Sequence, residues 1–137
     1  MTDARVVSIS GGQTISGIDI NVSSPANASG VNAESLGVTE LNAGGSATNT
    51  GATVRRGTSM RVVIFGRALS GGLNVSILGP NDISISNVRS TTSSTGKSGV
   101  ALDISVAGNA TLGARTVVLR DTNNDITTFT GGLEVIP

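Results

Sequence analysis

The chain of 137 residues contains no histidine, cysteine, tryptophan or tyrosine. Without histidine there is no imidazole to act as the base for a serine or cysteine nucleophile. Without histidine and cysteine the usual zinc ligands are missing as well. The lack of cysteine also excludes disulfides and thiolate metal sites. A pair of carboxylates remains as a route to hydrolysis. Such a pair works in a cleft with aromatic or apolar walls, and Phe65 and Phe129 are the only aromatic residues. The same scarcity removes the ring platforms on which sugars stack. Serine and threonine are abundant, but the one candidate activating base is Lys97, in "STTSSTGKSGV", which reads as a flexible, solvated turn. The chain is therefore read as a non-enzyme, with no catalytic residue and no cofactor.

Charge of one sign is lacking too. Nine acids balance nine bases, and eight of the bases are arginine. A neutral surface gives no reason to attract nucleic acid or anionic lipid. No apolar run approaches the length that spans a bilayer, so no membrane insertion is expected. The start, "MTDARVV", lacks the basic and apolar regions of a signal peptide. If the protein is exported, this chain is a mature form or an excised module. The absence of cysteine fits an exported bacterial or archaeal protein that relies on core packing.

What is present is branched aliphatic residues, glycine and small polar residues. One domain of this length can bury roughly two-thirds of its unfolded surface. With so few aromatics, Val, Ile and Leu must build the core, which favours strands. Short apolar runs read as strands at 5–10, 16–22, 33–41, 55–69, 73–78, 82–90, 100–106, 114–120 and 126–136. Gly, Asn, Asp or Pro stands at each junction, where turns need them. In "VALDISV", Val100, Leu102, Ile104 and Val106 share one face and Asp103 and Ser105 the other. One face dry and one wet is what two packed antiparallel sheets require. The expected fold class is all-β, a sandwich or barrel over 33–137, preceded by an N-terminal β-strand extension and linker over 1–32.

The stretches "RRGTSMRVVIFGRAL", "VSILGPNDISISNV" and "VALDISVAGNATLGARTVVLRDTNNDITTFTGGLEVIP" resemble an IPT/TIG-type immunoglobulin-like domain of exported surface proteins. The resemblance lies in a glycine followed by a strand ending in "G-x-x-L", in the glycine-containing bend before "ARTVVLR", and in the closing "GGLEVIP" strand. It covers residues 33–137 and is a pattern of glycine and apolar positions. It implies an immunoglobulin-like β-sandwich over 33–137 behind the N-terminal β-strand extension, in an extracellular or cell-surface protein, often with tandem modules, and no catalytic residues. The N-terminal "VVSISGGQTISGIDINV" departs from the family. It resembles the last strands of the small β-modules that precede such domains.

"DTNND" places Asp121, Asn123 and Asp125 at the first three ligand spacings of a calcium loop. Ile126 and Gly132 then occupy the positions that need glycine and glutamate, so the residues read as a β-turn and no metal is assigned. In "GPND", Asp82 has no partner legible in sequence. Arg55, Arg56 and Arg61 read as solvated edge-strand arginines that discourage edge pairing, or as a local basic spot for a carboxylate. Four Asn-x-Ser/Thr matches, at Asn21, Asn27, Asn74 and Asn109, are expected by chance in a chain so rich in these residues.

The opening strand raises the functional question. Ile18, Ile20 and Val22 alternate with Asp19, Asn21 and Ser23. The polar stretch "SSPANASGVN" separates them from the main body. The strand completes its own sandwich, belongs to a preceding domain, or adds to the sheet of a neighbouring copy by donor-strand pairing. Ile15, Ile18, Ile20 and Val22 are the candidate subunit-contact residues. The expected function is a structural module that self-assembles into a surface appendage or filament, or spaces neighbouring domains. The alternative is a binding or adhesion module that holds a protein or glycan partner with its loops 42–53 and 91–99.

Overall fold

The structure, a computed structural model, describes residues 30–137. The expected strands at 5–10 and 16–22, with Ile15, Ile18, Ile20 and Val22, lie outside the described residues. Those described are all-β, with eight strands and no helix: β1 (Asn32–Thr39), β2 (Ala52–Arg55), β3 (Ser59–Arg67), β4 (Asn74–Ile77), β5 (Ile83–Thr92), β6 (Ser98–Val106), β7 (Gly113–Arg120) and β8 (Ile126–Ile136). They form two packed four-stranded sheets. Sheet A has the order β1-β3-β6-β5 and sheet B the order β2-β8-β7-β4. All pairs are antiparallel except β2 with β8.

Period-2 alternation builds the core. Val62 and Ile64 of β3, Val100, Leu102 and Ile104 of β6, and Val117 and Leu119 of β7 are buried between the sheets. Each such side chain removed from water contributes about 1.5–3 kcal/mol before the entropy of ordering it. Phe129 is the only aromatic ring in this aliphatic core.

The run 55–69, read as one strand, is divided. β2 ends at Arg55, residues 56–58 turn with Gly57 at φ 69°, and β3 begins at Ser59 in the other sheet. The turn is held by backbone bonds from Arg56 N–H to the Ile136 carbonyl and from Gly57 N–H to that of Ala107. The glycine-containing "RRGT" carries the break, which the uninterrupted apolar run behind it conceals.

Two poles follow from the register. At one pole, Asn32 faces Arg67, Arg67 Nε donates to the Gly30 carbonyl, and Ala33 N–H donates to Thr127 Oγ1. At the other, Arg55 faces Ile136 and Arg55 Nη1 donates to the Pro137 carbonyl. The described chain thus comes in at one pole and goes out at the other.

The two long sides of the sandwich are closed by different segments. Beside β1 and β2 the sheets are closed, and Leu36 and Val54 are 0% and 2% exposed. Beside β4 and β5 the connection from β3 to β4 buries Leu69 and Leu73 and lays Gly71 against the Arg89–Ser90 backbone, while Val75, Ile77, Ile83, Ile85 and Val88 are partly buried and Leu78 is 54% exposed.

Candidate functional site

The outer face of sheet A carries a groove of about 720 Å³, lined by Val63, Phe65, Ala101, Arg61, Arg89 and the loops at either side. Its floor arises because "RVVIF" is apolar on both faces of β3. Val62 and Ile64 turn inward, so Val63 and Phe65 must turn outward. Phe65 faces Gly99 across the β3–β6 ladder, and a Cβ there would lie 2.5 Å from its ring and 2.7 Å from the Ile64 carbonyl oxygen. Glycine at 99 is what allows the ring to lie over the neighbouring strand.

The 40–51 loop forms one wall. It returns along β1 through paired backbone bonds between Leu36 and Thr48 of 2.9 and 3.0 Å. Thr39 Oγ1 reaches the carbonyls of Ala43 and Gly44 at 3.3 and 3.2 Å. Any Cβ at Gly37 would collide with the Ser46 carbonyl, so the loop can lie this close only against glycine. The opposite wall is the β5–β6 turn. It is shorter than the flexible loop expected over 91–99, because Thr91 and Thr92 still pair with Gly99 and Ser98 and leave only residues 93–97 to turn. Ser93 Oγ accepts from the Lys97 N–H at 3.0 Å. Lys97 is also not merely a solvated loop lysine: its Nζ pairs with Glu34 of β1 and ties the turn to the far edge of the sheet.

One end of the groove is charged. Asp103 Oδ1 accepts from Arg61 Nε at 3.0 Å and lies 3.7 Å from Arg89 Nη2, while Asn87 Nδ2 donates to Oδ2 at 3.1 Å. Burial raises the Asp103 pKa, but the hydrogen bonds from Arg61 and Asn87 and the two guanidinium charges outweigh it and hold the carboxyl below its ordinary value. Lys97 beside Glu34 lowers that carboxyl in the same way, against a smaller opposing effect of burial. Arg61 is not the edge arginine expected. β3 is an inner strand, and Arg61 stands on its outer face. Arg55 ends β2 in the other sheet and donates to the Pro137 carbonyl, and Arg56, in the turn that follows, donates from Nε to the Ala110 carbonyl at 2.7 Å. The three arginines do not form one basic spot.

Asp82 has a partner that the sequence did not reveal. Arg115 Nη2 lies 3.1 Å from Asp82 Oδ2 and donates to the Thr111 carbonyl at 2.7 Å, while Thr111 N–H donates to Asp82 Oδ2 at 2.8 Å. The side chains are 5% and 13% exposed, and Arg115 Nε meets no partner among the described residues. The bond from the Thr111 N–H lowers the Asp82 pKa most; burial opposes it, and Arg115 adds to the lowering. A signal was present in "ARTVVLR": Arg115, Val117 and Leu119 share one face of β7, and the last two are core residues. The groove floor had a signal as well, in the unbroken apolar run of β3.

Asp121, Asn123 and Asp125 lie in the turn between β7 and β8. Asp121 Oδ1 accepts from the N–H groups of Asn123 and Asp125 at 2.8 and 2.9 Å, and Asn124 takes φ 64°. This is the turn chemistry expected of the stretch. Among the described residues no three His, Cys, Asp or Glu side chains gather as a metal site.

No family model, curated protein or solved structure matches the chain.

Proposed function

We propose that this chain is a non-catalytic structural module of a cell surface or extracellular assembly, an immunoglobulin-like sandwich that joins copies of itself or spaces neighbouring domains. Joining is by β-strand addition through Ile15, Ile18, Ile20 and Val22. The observation that carries the reading is the placement of Gly30 and Pro137 at opposite poles of the sandwich. Modules connected through such poles line up end to end, and head-to-tail contacts that do not close give open filaments. The strand order supports the immunoglobulin-like part of the reading. Sheet A follows the A-B-E-D order of that fold, and β8-β7-β4 follows its G-F-C order.

Light scattering and negative-stain microscopy of the full chain, and of a chain lacking residues 1–29, test the proposal. Assemblies that disappear on truncation are expected. A monomer that unfolds on truncation would mean that the strand completes its own sandwich.

A second reading, a binding module for a protein or glycan partner, is favoured by the groove of sheet A, because both loops named for that role form its walls. Under that reading the protein stays monomeric, truncation leaves affinity unchanged, and substitutions at Phe65 or Arg89 weaken it.

A further inference from the structure

We propose that the groove on the outer face of sheet A is a binding site for an acidic sugar, a hexuronate unit of a glycan, with its carboxylate on Arg89 and Arg61 and its C–H face on Phe65. The proposal rests on the second reading above and names the chemistry of the partner.

The register of sheet A shapes the groove. On the outer face, Phe65 of β3 stands in one row with Gly99 of β6 and Thr91 of β5, and Val63 stands in the next row with Ala101 and Arg89. β6 therefore presents only a glycine and a methyl group between the larger residues of β3 and β5, and the floor dips there. The resulting volume of about 720 Å³ is in the range of small-ligand sites. Phe65 is the one aromatic ring outside the core, and it is half-buried. It gives the C–H face of a sugar the apolar surface that such a face requires. Hydroxyl groups surround it. Thr39 and Ser93 use theirs to hold the loops, while Ser35, Ser46, Thr91 and Thr92 also line the groove.

Charge selects an acid. The groove is lined by the cations Arg61, Arg89 and Lys97. Two carboxylates lie next to them: Glu34 pairs with Lys97, and Asp103 is shared by Arg61 and Arg89, so one positive charge is left over. Arg89 is where that charge is accessible. Its side chain is 40% exposed, its Nη1 donates to the Asn87 carbonyl at 2.8 Å, and its Nη2 stands 3.7 Å from Asp103, beyond hydrogen-bond reach. A ligand carboxylate over Arg89 gains charge-assisted hydrogen bonds without displacing Asp103, which Arg61 and Asn87 already hold. A neutral sugar would leave the extra charge unmet. A peptide is a poorer fit, because β3 and β6 are inner strands whose backbone groups pair with their neighbours. The floor thus offers side chains and no free backbone ladder, which suits a polyhydroxylated acid better than an extended chain.

Titration of the isotope-labelled full chain with oligomers of galacturonic, mannuronic and guluronic acid, followed by NMR, tests the proposal. Neutral galactose and mannose oligomers of equal length and polyglutamate serve as the comparison. A uronate oligomer is expected to shift the amide signals of Phe65, Thr91 and Ala101, with an affinity that falls as salt is added. Arg89→Gln should weaken that binding about tenfold or more, as loss of charge-assisted hydrogen bonds implies. Arg89→Lys, which keeps the charge and loses the guanidinium fork, should fall between the two. Arg120→Gln, on an exposed arginine away from the groove, should leave the affinity unchanged. If neutral oligomers shift the same signals as strongly and Arg89→Gln changes nothing, the preference for an acid is wrong and the binding-module reading stands. If only polyglutamate shifts them, the partner is a peptide, and the proposal falls while that reading again stands. If no probe shifts them, both fall.

Discussion

Two glycines and one ion pair illustrate how single residues set this surface. Gly37 and Gly99 each occupy a place where a methyl group would enter neighbouring atoms, one beneath the 40–51 loop and one beneath Phe65. Gly99→Ala should cost about 1–3 kcal/mol through overpacking, read as a lower melting temperature. Unchanged stability would mean that Phe65 moves aside freely. Asp82 matters differently. Its removal leaves the Arg115 cation, 5% exposed, without its carboxylate. Breaking one half of such a pair is costly, whereas replacing both halves with apolar groups often is not. Asp82→Ala should therefore destabilise the protein strongly, and adding Arg115→Leu should recover much of the loss. A double variant less stable than Asp82→Ala would contradict this account. Sequence reasoning could have placed Arg115, two residues before Val117 on an alternating strand. It could not have paired it with Asp82, because the partner lies 33 residues away in sequence and reaches it only through the fold.

At the scale of elements, alternation was a good guide and breaks were not. "VALDISV" was readable as β6, with Asp103 outward and Leu102 inward, because one face is dry and the other wet. The turn at 56–58 was hidden because β3 is apolar on both faces and its run extends to the turn. The 91–99 stretch read as a loop because serine and threonine are equally at home in turns and on wet strand faces. Three carboxylates tie elements together: Glu34 joins β1 to the 93–97 turn, Asp103 joins β6 to β3 and β5, and Asp82 joins the start of β5 to β7. All three have pKa values lowered by folding, from ordinary values of 4.5 for Glu34 and 3.8 for the two aspartates. The folded state then binds fewer protons than the unfolded chain between the lowered and the ordinary values. The stabilisation is fully present above the ordinary values and is lost as pH falls through the lowered ones. Melting temperature should be level from neutral pH down to about 5 and fall at lower pH. A melting temperature that rises on acidification below pH 4 would oppose the assignment.

At the scale of the molecule, the all-β sandwich was legible from composition and turn spacing. The closure of its two long sides was not. That closure depends on the crossing of the chain between sheets after β1, where the 40–51 loop and β2 seal one side. On the β4 and β5 side the chain also crosses between the sheets, before and after β4, and buries Leu69 and Leu73, while Val75, Ile77, Ile83, Ile85 and Val88 stay partly buried. Gly30 and Pro137 lie at opposite poles of the sandwich, which is the feature that the proposed end-to-end joining uses. The most direct test is sedimentation of the full chain over a range of concentrations, beside the chain lacking residues 1–29. The account predicts concentration-dependent assemblies for the full chain and a folded monomer after truncation. A full chain that remains monomeric at every concentration would contradict it.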